Sequence, residues 1–369
     1  MELIQKSITF LFAAAIAATS ASASDKALTR IAFGSCNKHD RPQLVWEAIV
    51  EYSPQLWIWL GDNVYGDTED IDLLRQKWSA QKNHGAYRAL ASSAIITGIW
   101  DDHDYGVNDG GKDYPMKEQS QQAFLDFLDV PPEDVRRTQQ GIYTTQTFGP
   151  EGKEIQVILL DLRFHREKPG EESDILGDAQ WAWLTKTLSK STAPLVLIAS
   201  SSQVLPSEHP FEKWTDYPNA RARFLKLLEG NSKQTTILLS GDRHHAEISA
   251  LDPGPTGKPL VEITASGLTH SRGGQITEAN QLRVGNAFGG LNFGTLDIDW
   301  DSGVIKAAIR DQRGTVVNEV EVMLPTQPSP AQSPSAAEES AIANPNPAEE
   351  AAVSTQNSPI ESSSTSEPQ

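Results

Sequence analysis

The segment "AIITGIWDDHDYGVND", residues 94–109, joins a dry run of chain to a turn crowded with acid. Its near-continuous apolar first half reads as a strand buried on both faces. Its second half sets Asp101, Asp102, His103 and Asp104 side by side and follows them with Asn108 and Asp109. Asp and Asn are ordinary turn formers and helix caps, so one acidic turn carries little by itself. Repetition gives it meaning. "TRIAFGSC" (29–36) stops on Ser35 and Cys36, and "LWIWLGD" (56–62) stops on Asp62, with Tyr65 and Asp67 just beyond. "IQVILLDLR" (155–163) ends on Asp161 and Arg163, and "LVLIASSSQ" (195–203) on serines and Gln203. "TTILLSGD" (235–242) ends on Asp242, followed by Arg243, His244 and His245. Ligands of open α/β sheets bind beyond the carboxyl ends of strands, so six such ends are expected to meet in one place.

Helical patterns alternate with these strands: "PQLVWEAIVEY" (42–52), "SQQAFLDFLD" (120–129), "DAQWAWLTKTLSK" (178–190) and "NARARFLKLLEG" (219–230), with Asp178 a candidate N-cap. After residue 258 the pattern turns to strand: "LVEITAS", "FGTLDIDW", "VIKAAIR" and "VVNEVEVML". The fold class expected is α/β, with helices covering stacked or mixed sheets. A chain of 369 residues, 38% hydrophobic and 22% charged, suits one large globular domain or two small ones. A formal net charge of -18 argues against nucleic acid or anionic membrane as a general partner. It leaves room for a pocket in which a bound cation reverses the local field.

Residues 1–23 read as a secretory signal. Lys6 supplies the positive end, "ITFLFAAAIAA" the apolar middle and "ASA" at 21–23 the cleavage site. The apolar stretch is too short for a transmembrane helix, and there is no twin-arginine pair. The expected protein is exported, periplasmic or secreted, and takes up any metal outside the cytoplasm. One catalytic domain is expected over 28–325. The Pro-, Ser-, Ala- and Glu-rich stretch 326–369 is expected to be a disordered tail. The lone cysteine, Cys36, excludes an intramolecular disulfide and leaves three readings: buried filler, ligand or nucleophile.

The residue types at the strand ends share one chemistry. Carboxylate, imidazole, amide carbonyl, phenolate and thiolate are all metal donors. A carboxylate such as Asp62 has two oxygens with which to bridge two cations. Paired cations clamp a phosphate ester and acidify a bound water into a hydroxide nucleophile. Gly61 and Gly241, just before Asp62 and Asp242, permit sharp turns and close backbone approach. "QWAWL" (180–184) reads as a helix face on a sheet, and "GNAFGGLNFG" (285–294) as a loop entering a strand. His84 and His270 belong to no motif, and nothing local assigns Glu212 or Trp214 a role.

"FGSC" (33–36), "GDNVY" (61–65), "WDDHDYGVND" (100–109), "LDLR" (160–163) and "GDRHHAE" (241–247), in this order, resemble the alkaline phosphatase D (PhoD-like) family of the calcineurin-like metallophosphatases. The resemblance covers roughly residues 30–250. It implies a four-layer α/β/β/α metallophosphatase sandwich with its metal site at the strand C-terminal ends, and phosphomonoesterase or phosphodiesterase activity on a phosphate-ester substrate. It further implies that Cys36, Tyr65 and His244 ligate iron (Fe3+), that Asp62 bridges iron and calcium (Ca2+), and that Asn108 and Asp242 serve the calcium. Arg163 would hold the substrate phosphate, with Asp161 as its ion-pair partner, while Asp102 and His103 support the site or handle protons. Zinc (Zn2+), manganese (Mn2+) or calcium alone are alternative cations. Many relatives carry a small β-domain before "FGSC", which here follows almost directly on the signal. Two rival functions are a Cys36-dependent thiol hydrolase and a non-catalytic binding protein of the same fold.

Overall fold

Strand Leu56–Leu60 shows how the layers arise. All five side chains of LWIWL are buried, and successive side chains on a strand point to opposite faces. Trp57 and Trp59 face helices, where the Trp46 ring sits 5.1 and 5.3 Å from theirs in edge-on contact. Leu56, Ile58 and Leu60 therefore face the other way, into the space between two sheets. Beside Trp59 in the ladder stands Gly98. A Cβ there would lie 2.4 Å from the Trp59 Cβ, so the glycine in the opening segment makes room for the tryptophan.

A computed structural model of the protein describes residues 26–325, so the expected signal (1–23) and tail (326–369) lie outside the described residues. The described chain begins β1 (Arg30–Gly34), α1 (Val45–Tyr52), β2 (Leu56–Leu60), α2 (Ile71–Lys82), α3 (Gly85–Ala91), β3 (Ile95–Ile99), α4 (Asp102–Tyr105) and α5 (Lys117–Phe127). It continues β4 (Thr144–Phe148), β5 (Ile155–Leu159), α6 (Gly177–Lys190), β6 (Leu195–Ser200), α7 (Pro218–Leu228) and β7 (Thr235–Ser240). It closes with β8 (Ala246–Leu251), β9 (Leu260–Ala265), β10 (Arg283–Phe288), β11 (Asn292–Asp299), β12 (Val304–Asp311) and β13 (Val316–Met323). One sheet runs β13-β12-β11-β1-β2-β3, the other β10-β8-β9-β7-β6-β5-β4.

Alternation sorts the second sheet into two cores. Val157, Leu159, Leu197, Ala199, Ile237 and Leu239 share one core with the first sheet. Their neighbours Ile158, Val196, Ile198 and Leu238 pack with Trp181 and Leu184 of α6 and Phe224 of α7. The result is the expected α/β/β/α sandwich. In it β1, β2 and β3 are parallel to one another, as are β5, β6 and β7. Their carboxyl ends are joined across the sheets just past β1 and β9, where Ser35 N–H donates to Ala265 O at 3.0 Å and Ser35 bridges Ser266.

Three local expectations are corrected. Helix α6 begins at Gly177, not at Asp178, and Asp174 does the capping, accepting the N–H groups of Ile175, Leu176 and Gly177. The "GNAFGG" half of the glycine string is largely strand β10 rather than loop. Helix α2, absent from the expected elements, has a sequence signal after all: Asp70 caps the N–H groups of Asp72 and Leu73.

Candidate metal centre

The loops leaving β1, β2 and β7 turn sharply on non-glycine residues, and four of those residues are candidate ligands. Cys36, Asp62, Asp242 and His244 have φ of 62, 51, 67 and 52°, and Asp67 and Asp109 share the left-handed region. Such backbone costs about 1–3 kcal/mol per residue and persists where the surroundings enforce it, often at functional sites. The preceding glycines serve the packing. A Cβ on Gly61 would meet the Asp101 Cβ at 2.5 Å, and one on Gly241 the Ser35 Oγ at 2.5 Å.

Asp62 lies at the middle of what these turns bring together. Three donor sets share it: Cys36–Asp62–His244, Asp62–Asp102–His103 and Asp62–Asp101–Asp242, with ligand atoms in each set within 4.8 Å of one another. Its Oδ2 lies 3.5 Å from Cys36 Sγ and 3.4 Å from the Tyr65 hydroxyl. Its Oδ1 is buried and finds no hydrogen-bond partner among the described residues; neither does Oδ2 of buried Asp101. A buried, unpartnered carboxylate oxygen is costly unless something positive meets it.

The electrostatics point the same way. Burial, then the Cys36 thiol and the neighbouring aspartates, pushes Asp62 well above the carboxylate range. Burial followed by Asp101 and Asp102 lifts Asp242 to about 7. Burial takes the Cys36 thiol up to about 12 and raises the Tyr65 phenol as well. His244 falls to about 4, chiefly by burial and then by the charge of His103, so its ring stays neutral with a free lone pair. So many crowded acids cannot all ionise alone, and a cation among them reverses the upward shifts of the acids while keeping His244 neutral. The donors therefore fit metal. The carboxylates of Asp62, Asp101, Asp102 and Asp242 suit a hard cation, and the imidazole, phenol and thiol of His244, Tyr65 and Cys36 a borderline or softer one.

Other expected site residues stand differently. Asn108 is exposed on the turn and its amide donates to Asp109 at 2.9 Å, so the structure does not bring it into the cluster. Arg163 is 1% exposed. Its Nε donates to Asp101 (2.6 Å) and its Nη2 to Glu212 (2.7 Å), leaving no open face for a phosphate. The expected Asp161–Arg163 ion pair is absent. Asp161 instead accepts the main-chain N–H groups of Ile142, Arg163 and Phe164. Asp101 and Asp104 are more than turn chemistry, for Asp104 accepts the N–H groups of Asn63, Val64 and Asp101 and so ties the β2 and β3 loops. Glu212 also pairs with Arg166, and its neighbour Trp214 is buried, donating to Ser200 Oγ at 3.0 Å. His245 is buried and turned aside, with Nδ1 on Arg243 O at 3.0 Å.

His103 lies against the centre in a defined pose. Its Nδ1 is 2.6 Å from Asp67 Oδ1 and its ring stacks on Tyr65 at 4.0 Å. Burial acts to lower it, but the bond to Asp67 and the charge of Asp102 win and hold it above the ordinary imidazole range. At Asp102 burial acts to raise the carboxyl, but the charges of Arg163 and then His103, with the Asp109 N–H, outweigh it and keep it below its ordinary range. His270, which no motif singled out, is also at the site, 2.8 Å from the Tyr65 hydroxyl and 3.2 Å from His244 Nε2.

No curated protein matches the chain. Among solved structures, PhoD superposes with a TM-score of 0.65 at 16% identity, covering 82% of this chain and 70% of that one. GAP50, the anchor in the inner membrane complex of Plasmodium, gives 0.52 at 11% identity, covering 82% of this chain and 90% of that one. Identities this low speak for the fold alone. The family model described as PhoD-like phosphatase matches residues 31–309, most of the chain and every strand-end loop of the centre, and the chain belongs to that family.

Proposed function

We propose that this chain is a metal-dependent phosphoric ester hydrolase acting on phosphomonoesters or phosphodiesters, with iron and calcium as the cations its donors suit. The observation that supports it is the sharing of Asp62 by three donor sets at the carboxyl ends of two sheets. When bound, the cations supply neutralisation of phosphate charge and acidification of a coordinated water. Cys36, Tyr65 and His244 would hold a cation on one side of the centre and Asp101, Asp102 and Asp242 one on the other, with Asp62 within reach of both sets. Arg163, locked between Asp101 and Glu212, acts by fixing those carboxylates rather than by gripping substrate.

Removing metal tests the function directly. Dialysis against a chelator is expected to abolish hydrolysis of a chromogenic phosphate ester, and added cations to restore it. Activity that survives chelation with no metal left in the protein overturns the reading. The thiol-hydrolase rival predicts instead that alkylating Cys36 kills an enzyme indifferent to chelators. The geometry disfavours it: a thiolate is the nucleophile, burial pushes this thiol up to about 12, and the groups within hydrogen-bond distance of it are the Ser35 and Ser266 hydroxyls and the Asp62 carboxylate rather than an imidazole.

His103 is the proton donor this site offers a leaving-group oxygen, because Asp67 and Asp102 favour its charged form. The sign is testable. Asp67→Asn removes a charge that raises the His103 pKa, so the basic limb of the kcat–pH profile is expected to move to lower pH. An unmoved limb excludes His103 as the acid.

A further inference from the structure

Three donor atoms from three separate strand-end loops form a nearly equilateral triangle. Tyr65 Oη lies 3.1 Å from His244 Nε2 and 2.8 Å from His270 Nε2, and the two nitrogens are 3.2 Å apart. Ligands bound at 2.0–2.1 Å in tetrahedral geometry stand about 3.3 Å from one another, so this spacing is that of donors around one ion. The rings meet by their edges: His244 and His270 are inclined at 64°, Tyr65 and His270 at 74°.

The proton inventory shows which nitrogen of His270 is free. Thr269 Oγ1 already accepts the Lys38 N–H at 2.7 Å and faces Cys36 O at 3.3 Å, where its own proton goes. Toward His270 Nδ1, 3.2 Å away, the hydroxyl can then only accept. The proton of a neutral His270 therefore sits on Nδ1, and Nε2 presents a bare lone pair to Tyr65 and His244. A ligating histidine has its tautomer fixed by an acceptor for its other ring N–H, usually a carboxylate, carbonyl or water, and the Thr269 hydroxyl takes that place here. The carrying segment is tied on both sides: Leu268 N–H donates to Ser35 O, Thr269 N–H to Cys36 O and Arg272 N–H to His244 O, at 3.1, 3.2 and 2.7 Å. The segment is thus pre-organised against the two loops that bear Cys36 and His244.

We propose that His270 is a further protein donor, beside Cys36, Asp62, Tyr65 and His244, to a borderline transition-metal cation, and that Thr269 sets its tautomer. This rests on the metal-dependent reading above and adds a ligand to it. The imidazole pair and phenol select a cation of the iron, zinc or cobalt kind, while calcium stays with the carboxylates.

The test uses full-length protein stripped of metal and titrated with cobalt(II), followed by calorimetry and visible absorption, with calcium titrated separately. Wild type is expected to bind cobalt with a ligand-field spectrum. His270→Ala is expected to weaken cobalt binding by about 10-fold or more, leave calcium binding unchanged and recover affinity with millimolar imidazole. Thr269→Val is expected to weaken cobalt binding in the same direction and less. Cobalt affinity and spectrum unchanged in folded His270→Ala overturn the proposal while leaving the metal-dependent reading intact. A loss shared equally by calcium and not rescued by imidazole overturns it too, as a structural effect. Wild type that binds calcium but no cobalt overturns the proposal alone, and wild type that binds neither overturns both.

Discussion

Asp62→Ala is expected to lower hydrolysis of a phosphate ester by about three orders of magnitude, well beyond the about 10–100-fold that loss of an outer-shell partner costs. Asp62 is common to three donor sets, so truncating it removes a ligand from both sides of the centre at once. It also leaves Cys36, Tyr65, Asp101 and Asp242 without the group they surround. The fold itself should survive. Asp62 accepts no backbone N–H, and its main-chain bond, Asn37 N–H to Asp62 O at 2.7 Å, does not need the side chain. Removing one acid from a crowded set of buried acids even favours the stability of the metal-free protein. Elemental analysis should show less bound metal, and thermal unfolding of the stripped variant a midpoint no lower than wild type. Near-normal turnover by a folded Asp62→Ala protein would remove the basis of the proposed function.

Arg163→Ala is expected to destabilise the protein by about 3–5 kcal/mol, as breaking a buried ion pair from one side does. The guanidinium is 1% exposed and lies between Asp101, Glu212 and, at 3.9 Å, Asp102. Its removal leaves those carboxylates facing one another in a dry interior. The sign can be separated from simple cavity formation by a double-mutant cycle. Asp101→Asn should recover part of the loss in the Arg163→Ala background, since Asp101 is the carboxylate left without a cation, whereas Glu212 keeps Arg166. Urea unfolding of the four proteins measures the coupling. A purely additive pair would mean that the arginine acts through volume, not charge.

Much of the frame was legible because its signals are local. Runs such as "LWIWL" and "TTILLS" are apolar throughout, and a strand buried on both faces has to be. The donors at their ends were legible too, since Cys36, Asp62, Tyr65, Asp242 and His244 sit within a few residues of those runs. Helix α2 escaped notice because only Leu74, Trp78 and Gln81 are buried on it, a face too narrow to outweigh its charged remainder. Strand β10 escaped because its edge position leaves no residue buried and no alternation to read.

His270 was illegible for a different reason. It lies 205 residues from Tyr65 and 26 from His244, on a loop with no strand-end signature of its own, and only the packing of the two sheets brings the three together. The same holds for Arg163. Two residues from Asp161 in the chain, it instead pairs with Asp101, 62 positions away, because the carboxyl ends of β3 and β5 face each other across the sandwich. Residue types and periodicity alone determined that this is a layered α/β protein with metal donors at its strand ends. Which donors come together, which acid neutralises Arg163 and why Asn108 stays outside were decided by tertiary structure. A side chain's partner depends on strand register and on left-handed turns enforced by contacts hundreds of residues apart, and neither is written in any short stretch of chain.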